Sequence, residues 1–555
     1  MDSYGTDQGL AGIELSYDNI LTGRSGKIVT ITDLHSSEIS DNHNTYVEVE
    51  NGNDVYLTLD VNIQSTVEKY ISKAVEDKQC EYASGIIMEP STGNILAMAS
   101  YPNYNLNTPF EPNTKDAIKN WDTMTSDEKN NYLNKMWRNK NISDLYEPGS
   151  TFKTLISAIA LEENITETNT EKDFYCSGYE LIGGRKIRCW SSKPHKYETL
   201  TQALANSCNP AFMQLGDRIG VDTLYKYFDA FGLFSKTGIS LPGEAKKSQF
   251  HSQNEVGPTE LATTSFGQRF NITPLQLITA VSSLANGGTL VQPQIVSKIV
   301  NKDTGSVTST KTNEIRQVVS EETANSVIDM MESVVTSGTG KKGAVKGYTI
   351  AGKTGTSEPP VGSNDGNTLS YVAIAPSENP SIVALVILYN TPNKTSQGST
   401  IAGPIISNIL GEVLPYLGIT SDEINISSNN SLITVPNVVN KTVTEAEKIL
   451  KNLGLNPVIS CKGDKNSTLV TTQVPSNKTT LLKDSVVLLY SEENSTRTSV
   501  TVPDLRGLTL TAAKSVLKQK NLNISYIGTG LVASQSIEKN TSVEEGTIIN
   551  VTLSY

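Results

Sequence analysis

The chain has 555 residues, which is too long for one hydrophobic core, so several domains are expected. A hydrophobic content of 37% and a charged content of 19% are typical of a folded globular protein and exclude a disordered one. The net charge of -12 argues against nucleic acid as a partner, because phosphate binding needs a basic surface, and no nucleic-acid-binding motif is present.

The beginning of the chain carries no targeting signal. Met1 leads directly into a polar stretch, without the charged and apolar regions of a signal peptide. The longest apolar run, residues 382–389, is far shorter than the roughly 20 residues of a membrane span. We therefore expect no membrane-crossing helix in this chain, and any anchor of the natural protein would lie upstream of it.

The polar stretch HSSEISDNHNT separates a short leading segment, residues 1–45, from the main body at residues 46–418. The main body mixes apolar residues at helical spacing with the apolar runs of strands. Helices are predicted at residues 155–161, 201–215 and 274–284, and strands at residues 85–88, 95–98, 348–353, 370–374 and 382–388. This mixture predicts one large α+β domain with an antiparallel sheet flanked by helices.

The stretch EPGSTFKTL places Ser150 and Lys153 three residues apart at the predicted start of a helix. The free N–H groups and the dipole there favour negative charge, such as a developing alkoxide or oxyanion. One helical turn brings Lys153 to the face of Ser150, where a lysine of lowered pKa can take the serine proton. Taken alone, the pattern is more often an N-cap serine followed by a surface lysine.

Five cysteines are an odd number, so they cannot all pair in disulfides within the chain. Cys176, Cys189 and Cys208 lie near His195 in the sequence, and three thiols with one imidazole are a tetrahedral set that structural Zn²⁺ takes. Asp173 is an alternative oxygen ligand. Two other interpretations stay open, namely a disulfide from Cys189 to one of the other two cysteines, and free buried thiols.

Two later motifs change the interpretation of Ser150. ALANSCNPAF contains Ser207 and Asn209, and YTIAGKTGTSEP contains Lys353 on a predicted strand. The order S-x-x-K, S-x-N, K-T-G is shared by penicillin-binding proteins and serine β-lactamases, and the set is far more specific than any member. A second K-T-G begins at Lys236 in a turn-like context, so we assign the site to Lys353, whose strand edge suits substrate docking by β-addition.

A polar linker, residues 419–432, precedes an internal repeat. VPNVVNKTVTEAEKILKNLGLN aligns with VPDLRGLTLTAAKSVLKQKNLN, and each copy ends in a β-rich stretch. Each copy is predicted to form a first strand containing proline, a helix, and then two or three strands. The tail therefore consists of two small α+β modules, at residues 433–492 and 499–555, of a size that commonly serves as a binding or spacer unit.

These motifs together resemble a class B penicillin-binding protein, a peptidoglycan D,D-transpeptidase. GIIMEPSTGNILAMASYPNYNLN, TTSFGQRFNITPLQL and GISLPGE look like signatures of that family, and GLAGIELSYDNILTGRSG looks like the end of its N-terminal pedestal domain. The tail modules resemble PASTA modules of Gram-positive cell-wall enzymes and kinases. Arg269, where many relatives have glycine, favours the sporulation type over the vegetative septal type.

The resemblance implies an architecture and a location. Residues 1–45 would be the end of the pedestal, residues 46–418 a transpeptidase domain with the serine β-lactamase-like fold, and the tail two PASTA modules. An N-terminal helix absent from this fragment would anchor the protein at the extracytoplasmic face of the membrane. A membrane glycosyltransferase would be its partner, and the chemistry would require no cofactor.

The resemblance also implies a role for each motif residue. Ser150 would attack the D-Ala-D-Ala carbonyl of a stem peptide, and Lys153 would take its proton. Ser207, between Lys153 and Lys353, would relay a proton to the leaving amine, while Asn209 would hold Lys153 and the donor peptide. Backbone N–H groups of Ser150 and Thr356 would form the oxyanion hole. The substrate would be bound by the residues that follow Lys353, namely Thr354, Gly355, Thr356 and Ser357. β-Lactams would acylate the same serine.

Two other functions are compatible with parts of this pattern. A serine β-lactamase shares the three motifs, but it needs a water-activating carboxylate or a modified lysine, and no suitable Glu-x-x-x-Asn stretch stands out. An inactive transpeptidase-fold scaffold that binds muropeptides is the second alternative. The intact set of motif residues argues against it.

Overall fold

The structure is a computed structural model that describes residues 8–29, 45–359, 363, 365–392, 397–419, 433–460, 463–491, 498–528 and 531–554. Nearly all of the predicted linker at residues 419–432, and part of the leading segment 1–45, lie outside the described residues. Within the described ranges, no helix has both the length and the apolar sequence needed to cross a bilayer.

Most of the helices before the tail modules occur in the sequence between residues 101 and 351, that is, between the second and third strands of one large sheet. The α-helices are Gly12–Ser16, Asp18–Leu21, Val61–Lys78, Lys115–Asn120, Ser126–Met136, Lys140–Ser143, Lys153–Glu162, Leu200–Ala205, Asn209–Ile219, Val221–Ala230, Pro258–Thr264, Pro274–Ala285, Glu321–Thr336 and Gly398–Tyr416. Short 3₁₀ helices are Trp121–Thr123, Gly149–Phe152, Gln253–Glu255 and Lys341–Gly343.

The large sheet is antiparallel and has five strands. Their order is Ala351–Ser357, Asn367–Ala375, Ile382–Thr391, Tyr82–Met88 and Ile95–Tyr101. The remaining strands before the tail form small two- and three-stranded sheets: Lys27–Val29, Thr45–Val47, Asp54–Leu57, Phe174–Cys176, Tyr179–Ile182, Arg185–Arg188, Lys196–Glu198, Thr289–Val291, Val296–Val300, Val307–Ser309 and Glu314–Gln317. The predicted antiparallel sheet flanked by helices is confirmed.

Both faces of the large sheet are buried, so its middle strands are apolar throughout. Successive side chains point to opposite faces, and Leu385 and Ile387 therefore join one core while Ala384 and Val386 join the other. On the first face lies the helix Pro274–Ala285, all twelve residues of which are buried. Its four polar side chains, Gln276, Thr279, Ser282 and Ser283, are buried together with the apolar ones.

The helix predicted at residues 201–215 is in fact two helices, Leu200–Ala205 and Asn209–Ile219. The break lies at Ser207, whose φ of 54° is in the left-handed region. A non-glycine residue there interrupts a right-handed helix, and Pro210 in the first turn suits the start of the next one. The motif serine therefore sits in a strained turn and not on a helix face.

The repeat in the tail is confirmed as two copies of one fold. The first module contains Ile433–Thr434, Val443–Asn452, Asn456–Ser460, Thr472–Val474, Thr480–Leu481 and Val486–Tyr490, and the second contains Ser499–Thr501, Leu510–Lys518, Asn523–Gly528, Leu531–Gln535, Ser542–Glu544 and Ile548–Ser554. In each copy the last strand pairs in parallel with the strand after the helix and antiparallel with the next one.

The second tail module packs against helix Glu321–Thr336 of the large domain through a group of acids. Glu332, only 4% exposed, accepts a hydrogen bond from the Ser377 hydroxyl at 2.7 Å and also contacts the Thr509 hydroxyl of the module. Nearby, the Thr511 hydroxyl lies 3.3 Å from Glu378 Oε1. The pKa of Glu332 is raised to about 7, mainly by burial and in addition by the charges of Asp329 and Glu378, while the hydrogen bonds from Ser377 and Thr509 oppose the rise.

We predict that this contact makes folding pH-dependent. The pKa of Glu332 in the folded state lies above its ordinary value, so stability is fullest below about pH 4.5 and is lost as the pH rises through 7. Glu332→Gln should therefore flatten the fall in the free energy of unfolding between pH 5 and pH 8, by an amount on the order of 3 kcal/mol. Denaturant titrations at the two pH values measure it.

Glu322→Gln, an exposed carboxylate on the same helix, is the control and should keep the wild-type slope. Equal slopes for wild type and Glu332→Gln would show that this carboxyl does not carry the pH dependence.

Candidate active site

Ser150 lies in the 3₁₀ turn Gly149–Phe152, directly before the helix that begins at Lys153. Residues three apart eclipse each other in a 3₁₀ turn, which places the two motif side chains on one side. The turn lies close to the strand Ala351–Ser357: a Cβ added to Gly149 would lie only 2.9 Å from the carbonyl oxygen of Thr356. Gly149 also has a φ of 57°, so glycine suits the position on both counts.

Two lysines converge on Ser207. Lys153 Nζ donates to the Ser207 carbonyl oxygen and to Asn209 Oδ1, both at 2.8 Å, and lies 3.5 Å from Ser207 Oγ. Lys353 Nζ donates to Ser207 Oγ at 2.9 Å and to the carbonyl oxygen of Thr354 at 3.1 Å. The structure thus brings Lys153, Ser207, Asn209 and Lys353 together from three distant segments.

Both lysine side chains are buried, and burial disfavours the charged ammonium form. Desolvation lowers the pKa of Lys153 to about 8. The pKa of Lys353 is well below its ordinary value, first through burial and then through the charge of Lys153. Burial is therefore the main cause of the lowered pKa at both lysines.

A single cleft collects the motif side chains. Ser150, Ser207, Asn209, Thr354 and Thr356 all line it, and Ser150 is half-exposed there. Its other lining residues, none of which the sequence reasoning had assigned, are Trp190, Phe266, Gln268, Thr339, Glu358, Asn367, Gln397 and Ser399. They come from loops, a strand end and a helix start that the tertiary fold brings to the site.

The K-T-G strand presents alternate residues to the cleft. Thr354 and Thr356 line it, whereas Gly355 packs against Ser370 and Pro148. The Ser357 hydroxyl donates to Glu147 Oε2 at 2.8 Å, so this side chain is turned away from the cleft. The substrate contact of Ser357 stays a prediction, since the structure shows this hydroxyl bonded to Glu147.

Glu147 is a residue that the sequence reasoning missed. Besides Ser357 it accepts a hydrogen bond from the backbone N–H of Arg269 at 3.1 Å. It therefore ties the approach to Ser150 to both the K-T-G strand and the loop of SFGQRF. A glutamate immediately before Pro-Gly-Ser was the available signal, but its two partners are more than 100 residues away.

The second K-T-G, at Lys236, has a structural role. The backbone N–H and hydroxyl of Thr237 both donate to Glu244 Oε1 at 2.6 Å, which closes the turn. Lys236 is not among the residues that line the cleft. The structure therefore places Lys353, and not Lys236, beside Ser207.

The ligand atoms of Cys176, Cys189, His195 and Cys208 all lie within 4.8 Å of one another. The three cysteines are free thiols in the structure, so neither disulfide alternative is formed. The hydrogen bond between Cys189 and Cys208 lowers the pKa of the Cys189 thiol and raises that of Cys208, which favours a thiolate at Cys189. The donor set is that of a closed zinc site.

Two carboxylates flank this cluster differently. Glu198 is buried beside it, with one oxygen bonded to Asn206 Nδ2 at 2.7 Å and the other 3.8 Å from His195 Nδ1. This oxygen and Cys189 Sγ both face the same nitrogen, His195 Nδ1, and the oxygen has no hydrogen-bond partner among the described residues. Asp173, the alternative ligand, is instead paired with Arg218 at 2.8 Å and is not a member of the cluster.

Comparison with known proteins shows which families the large domain and the tail modules match. The profile of the penicillin-binding protein transpeptidase domain matches residues 83–411, and that of the PASTA domain matches residues 433–493 and 500–555. Stage V sporulation protein D of Bacillus subtilis is 35% identical over 501 residues, which are 88% of this chain and 73% of that protein. Peptidoglycan D,D-transpeptidase FtsI of Escherichia coli is 28% identical over 77% of this chain and 66% of its own length.

Solved structures of penicillin-binding proteins have a similar fold. Penicillin Binding Protein 2X from Streptococcus thermophilus has a TM-score of 0.61 over 99% of this chain and 78% of its own, and at 22% identity it shows the fold alone. Penicillin-binding protein 3 of Mycobacterium tuberculosis in complex with ampicillin has a TM-score of 0.61 at 25% identity, over 75% of this chain and 86% of its own.

The matched domain and the fold define a serine-type acyl-transfer enzyme. More particularly, the chain belongs to the penicillin-binding protein transpeptidase family and carries two PASTA domains. The fold prediction, a transpeptidase domain of α+β type followed by two PASTA modules, is confirmed.

We predict that Gly149→Ala weakens penicillin acylation strongly. The new methyl group would lie 2.9 Å from the Thr356 carbonyl oxygen, so the serine turn and the K-T-G strand must move apart. Positive φ alone costs alanine about 1 kcal/mol. Gly12→Ala controls for that term, since Gly12 has the same φ of 57° with open space around it. The rate of labelling by fluorescent penicillin should fall at least about tenfold for the first variant only. Equal rates would show that the close approach is not needed.

Proposed function

We propose that this chain is a penicillin-sensitive D,D-transpeptidase that crosslinks peptidoglycan stem peptides through an acyl-enzyme on Ser150. The observation that carries the proposal is the pair of buried lysines that share Ser207 at the cleft lined by Ser150. Family membership supports the reaction class. The residue roles are those that the family resemblance implies, and the hydrogen bonds among the motif side chains support them.

In the acylation step the Ser150 hydroxyl attacks the carbonyl of the penultimate D-Ala while neutral Lys153 takes its proton. With a pKa of about 8, roughly a tenth of Lys153 is neutral at pH 7, against a far smaller fraction for an ordinary lysine. Backbone N–H groups of Ser150 and Thr356 receive the oxyanion, a contribution of about 3 kcal/mol per donor. Collapse of the tetrahedral intermediate breaks the peptide bond and releases the terminal D-Ala.

Proton return uses the serine between the lysines. Ser207 Oγ, 2.9 Å from Lys353 Nζ and 3.5 Å from Lys153 Nζ, passes the proton to the leaving amine. Asn209 fixes Lys153 and faces the donor peptide. The amine of a second stem peptide then attacks the acyl-enzyme by the reverse sequence and forms the crosslink.

Substrate recognition is divided along the K-T-G strand. Thr354 and Thr356 bind the terminal carboxylate from the cleft side, with Gly355 allowing the strand to approach the serine turn. The contact of Ser357 with the carboxylate stays a prediction, since its hydroxyl is bonded to Glu147. β-Lactams occupy the place of D-Ala-D-Ala and acylate the same serine.

We place the domain boundaries at residues 46–418 for the transpeptidase, 419–432 for the linker, and 433–492 and 499–555 for the two PASTA modules, with residues 1–45 as the end of a pedestal. The similarity to a protein named stage V sporulation protein D favours a role in spore-cortex or septum synthesis. A reaction on peptidoglycan implies work at the extracytoplasmic face of the membrane, beside a glycosyltransferase partner.

We further propose that Cys176, Cys189, His195 and Cys208 hold a structural Zn²⁺. Three thiols and one imidazole, with ligand atoms within 4.8 Å of one another, fit its tetrahedral preference. The ion takes no part in the chemistry. Because Cys208 stands between Ser207 and Asn209, the cluster fixes the position of both motif side chains.

The catalytic assignment predicts which serine and which lysines are required for the formation of the covalent penicillin adduct. Ser150→Ala should give no covalent adduct by mass spectrometry, because the attacking hydroxyl is absent. Lys153→Ala and Lys353→Ala should slow adduct formation by about 10² to 10⁴, the usual loss of a general base or proton relay. Lys236→Ala, from the second K-T-G, is the matched control and should react at the wild-type rate. An adduct on another residue, or fast hydrolysis of the adduct, would contradict the proposal.

The zinc assignment predicts about one equivalent of zinc in protein purified without added metal. Cys189→Ser should lose most of it and melt at a lower temperature, since one of four ligands is replaced. Cys80→Ser, a buried cysteine outside the cluster, should retain zinc. Elemental analysis after dialysis against a weak chelator gives the stoichiometry, and a wild-type value near zero would exclude the metal.

A further inference from the structure

Trp190 stands beside the active-site cleft in a fixed orientation. It directly follows Cys189 of the thiol cluster, and its indole N–H donates to the carbonyl oxygen of Asn206 at 3.0 Å. Its ring centre lies 6.3 Å from that of His195. The residue that receives the hydrogen bond immediately precedes Ser207. The indole is therefore attached to the same wall of the cleft as the motif serine.

The exposure of Trp190 is unusual for that place. Its side chain is 49% exposed, although it lines the cleft that contains Ser150. The other aromatic residue in the described lining, Phe266, is 4% exposed, and the remaining lining residues are polar. Trp190 thus supplies the accessible apolar surface of an otherwise polar site. Aromatic rings held in this way are typical of binding contacts.

We propose that Trp190 is a specificity-determining residue that binds the aliphatic side chain of the stem-peptide residue preceding D-Ala-D-Ala. This inference rests on the proposed transpeptidase function and deepens it. It identifies the part of the donor, beyond the two D-alanines, that the enzyme recognises by contact. The ligand is a donor peptide with a long aliphatic side chain at that position.

Two walls of the cleft determine which part of the donor Trp190 meets. Thr354 and Thr356 lie on the strand edge, where an extended peptide adds as a further strand with its carboxylate bound. Side chains of that peptide stand perpendicular to the new strand and reach the opposite wall, formed by Ser207, Asn209 and Trp190. The two D-alanines carry only methyl groups, so the residue before them, at about 3.3 Å per residue, is the first whose side chain can reach that wall.

The test compares two synthetic donors that differ only at this residue. One is diacetyl-L-Lys-D-Ala-D-Ala, and the other is acetyl-Gly-D-Ala-D-Ala, which lacks the side chain. For each enzyme we measure the kcat/KM of D-Ala release and the concentration of donor that halves the rate of penicillin labelling. The second measurement needs no turnover.

Trp190→Ala should lose roughly tenfold in kcat/KM and in apparent affinity for the lysine donor, and less than about twofold for the glycine donor. Trp190→Phe, which keeps an aromatic face, should recover most of the preference. Tyr197→Ala is the control. Tyr197 is an equally exposed aromatic residue near the thiol cluster, 59% exposed, and is not among the residues lining the cleft.

The results separate the possible failures. An equal loss on both donors would mean that Trp190 only supports the fold, and no loss on either would mean that it does not contact the donor; both overturn the inference. Zinc content and melting temperature of Trp190→Ala show whether the neighbouring cluster is intact, and Trp190→Phe serves alone if the alanine variant does not fold. Wild-type protein that penicillin does not label would overturn the proposed function itself.

Discussion

Two buried lysines that share one serine are the constraint on which the site depends. Lys153 and Lys353 both approach Ser207, and neither ammonium group is exposed to water. Burial lowers the pKa of both lysines, and the charge of Lys153 lowers that of Lys353 further, so the neutral amine becomes accessible without an external base. The arrangement needs a backbone turn that presents a carbonyl and a hydroxyl together, which is what the left-handed conformation of Ser207 provides.

The surrounding structure holds this turn from several sides. Gly149 lets the serine turn approach the K-T-G strand, and Glu147 ties both to the loop at Arg269. On the other side the thiol cluster fixes Cys208, the residue between the motif serine and asparagine. The site is therefore part of the rigid body of the domain, with its chemistry set by burial and its geometry set by neighbouring loops.

The second PASTA module contacts the large domain at residues that belong to none of the three motifs. Its Thr509 and Thr511 meet Glu332 and Glu378, so the contact is polar and depends on protonation. The repeat itself could be read from two aligned stretches of sequence. The contact between the module and the large domain could not be predicted from the sequence, because no local pattern near Glu332 indicates that this side chain is buried.

The sequence by itself determined the class of fold, the repeat and the motif residues, because helical and strand periodicities and the spacing of S-x-x-K, S-x-N and K-T-G are local properties. It also indicated the cysteine cluster. Only the tertiary structure decided that residues 201–215 form two helices, that Ser357 faces Glu147, and that Trp190 lines the cleft. Each of these depends on contacts between segments distant in the chain, and local propensity carries no information about such contacts.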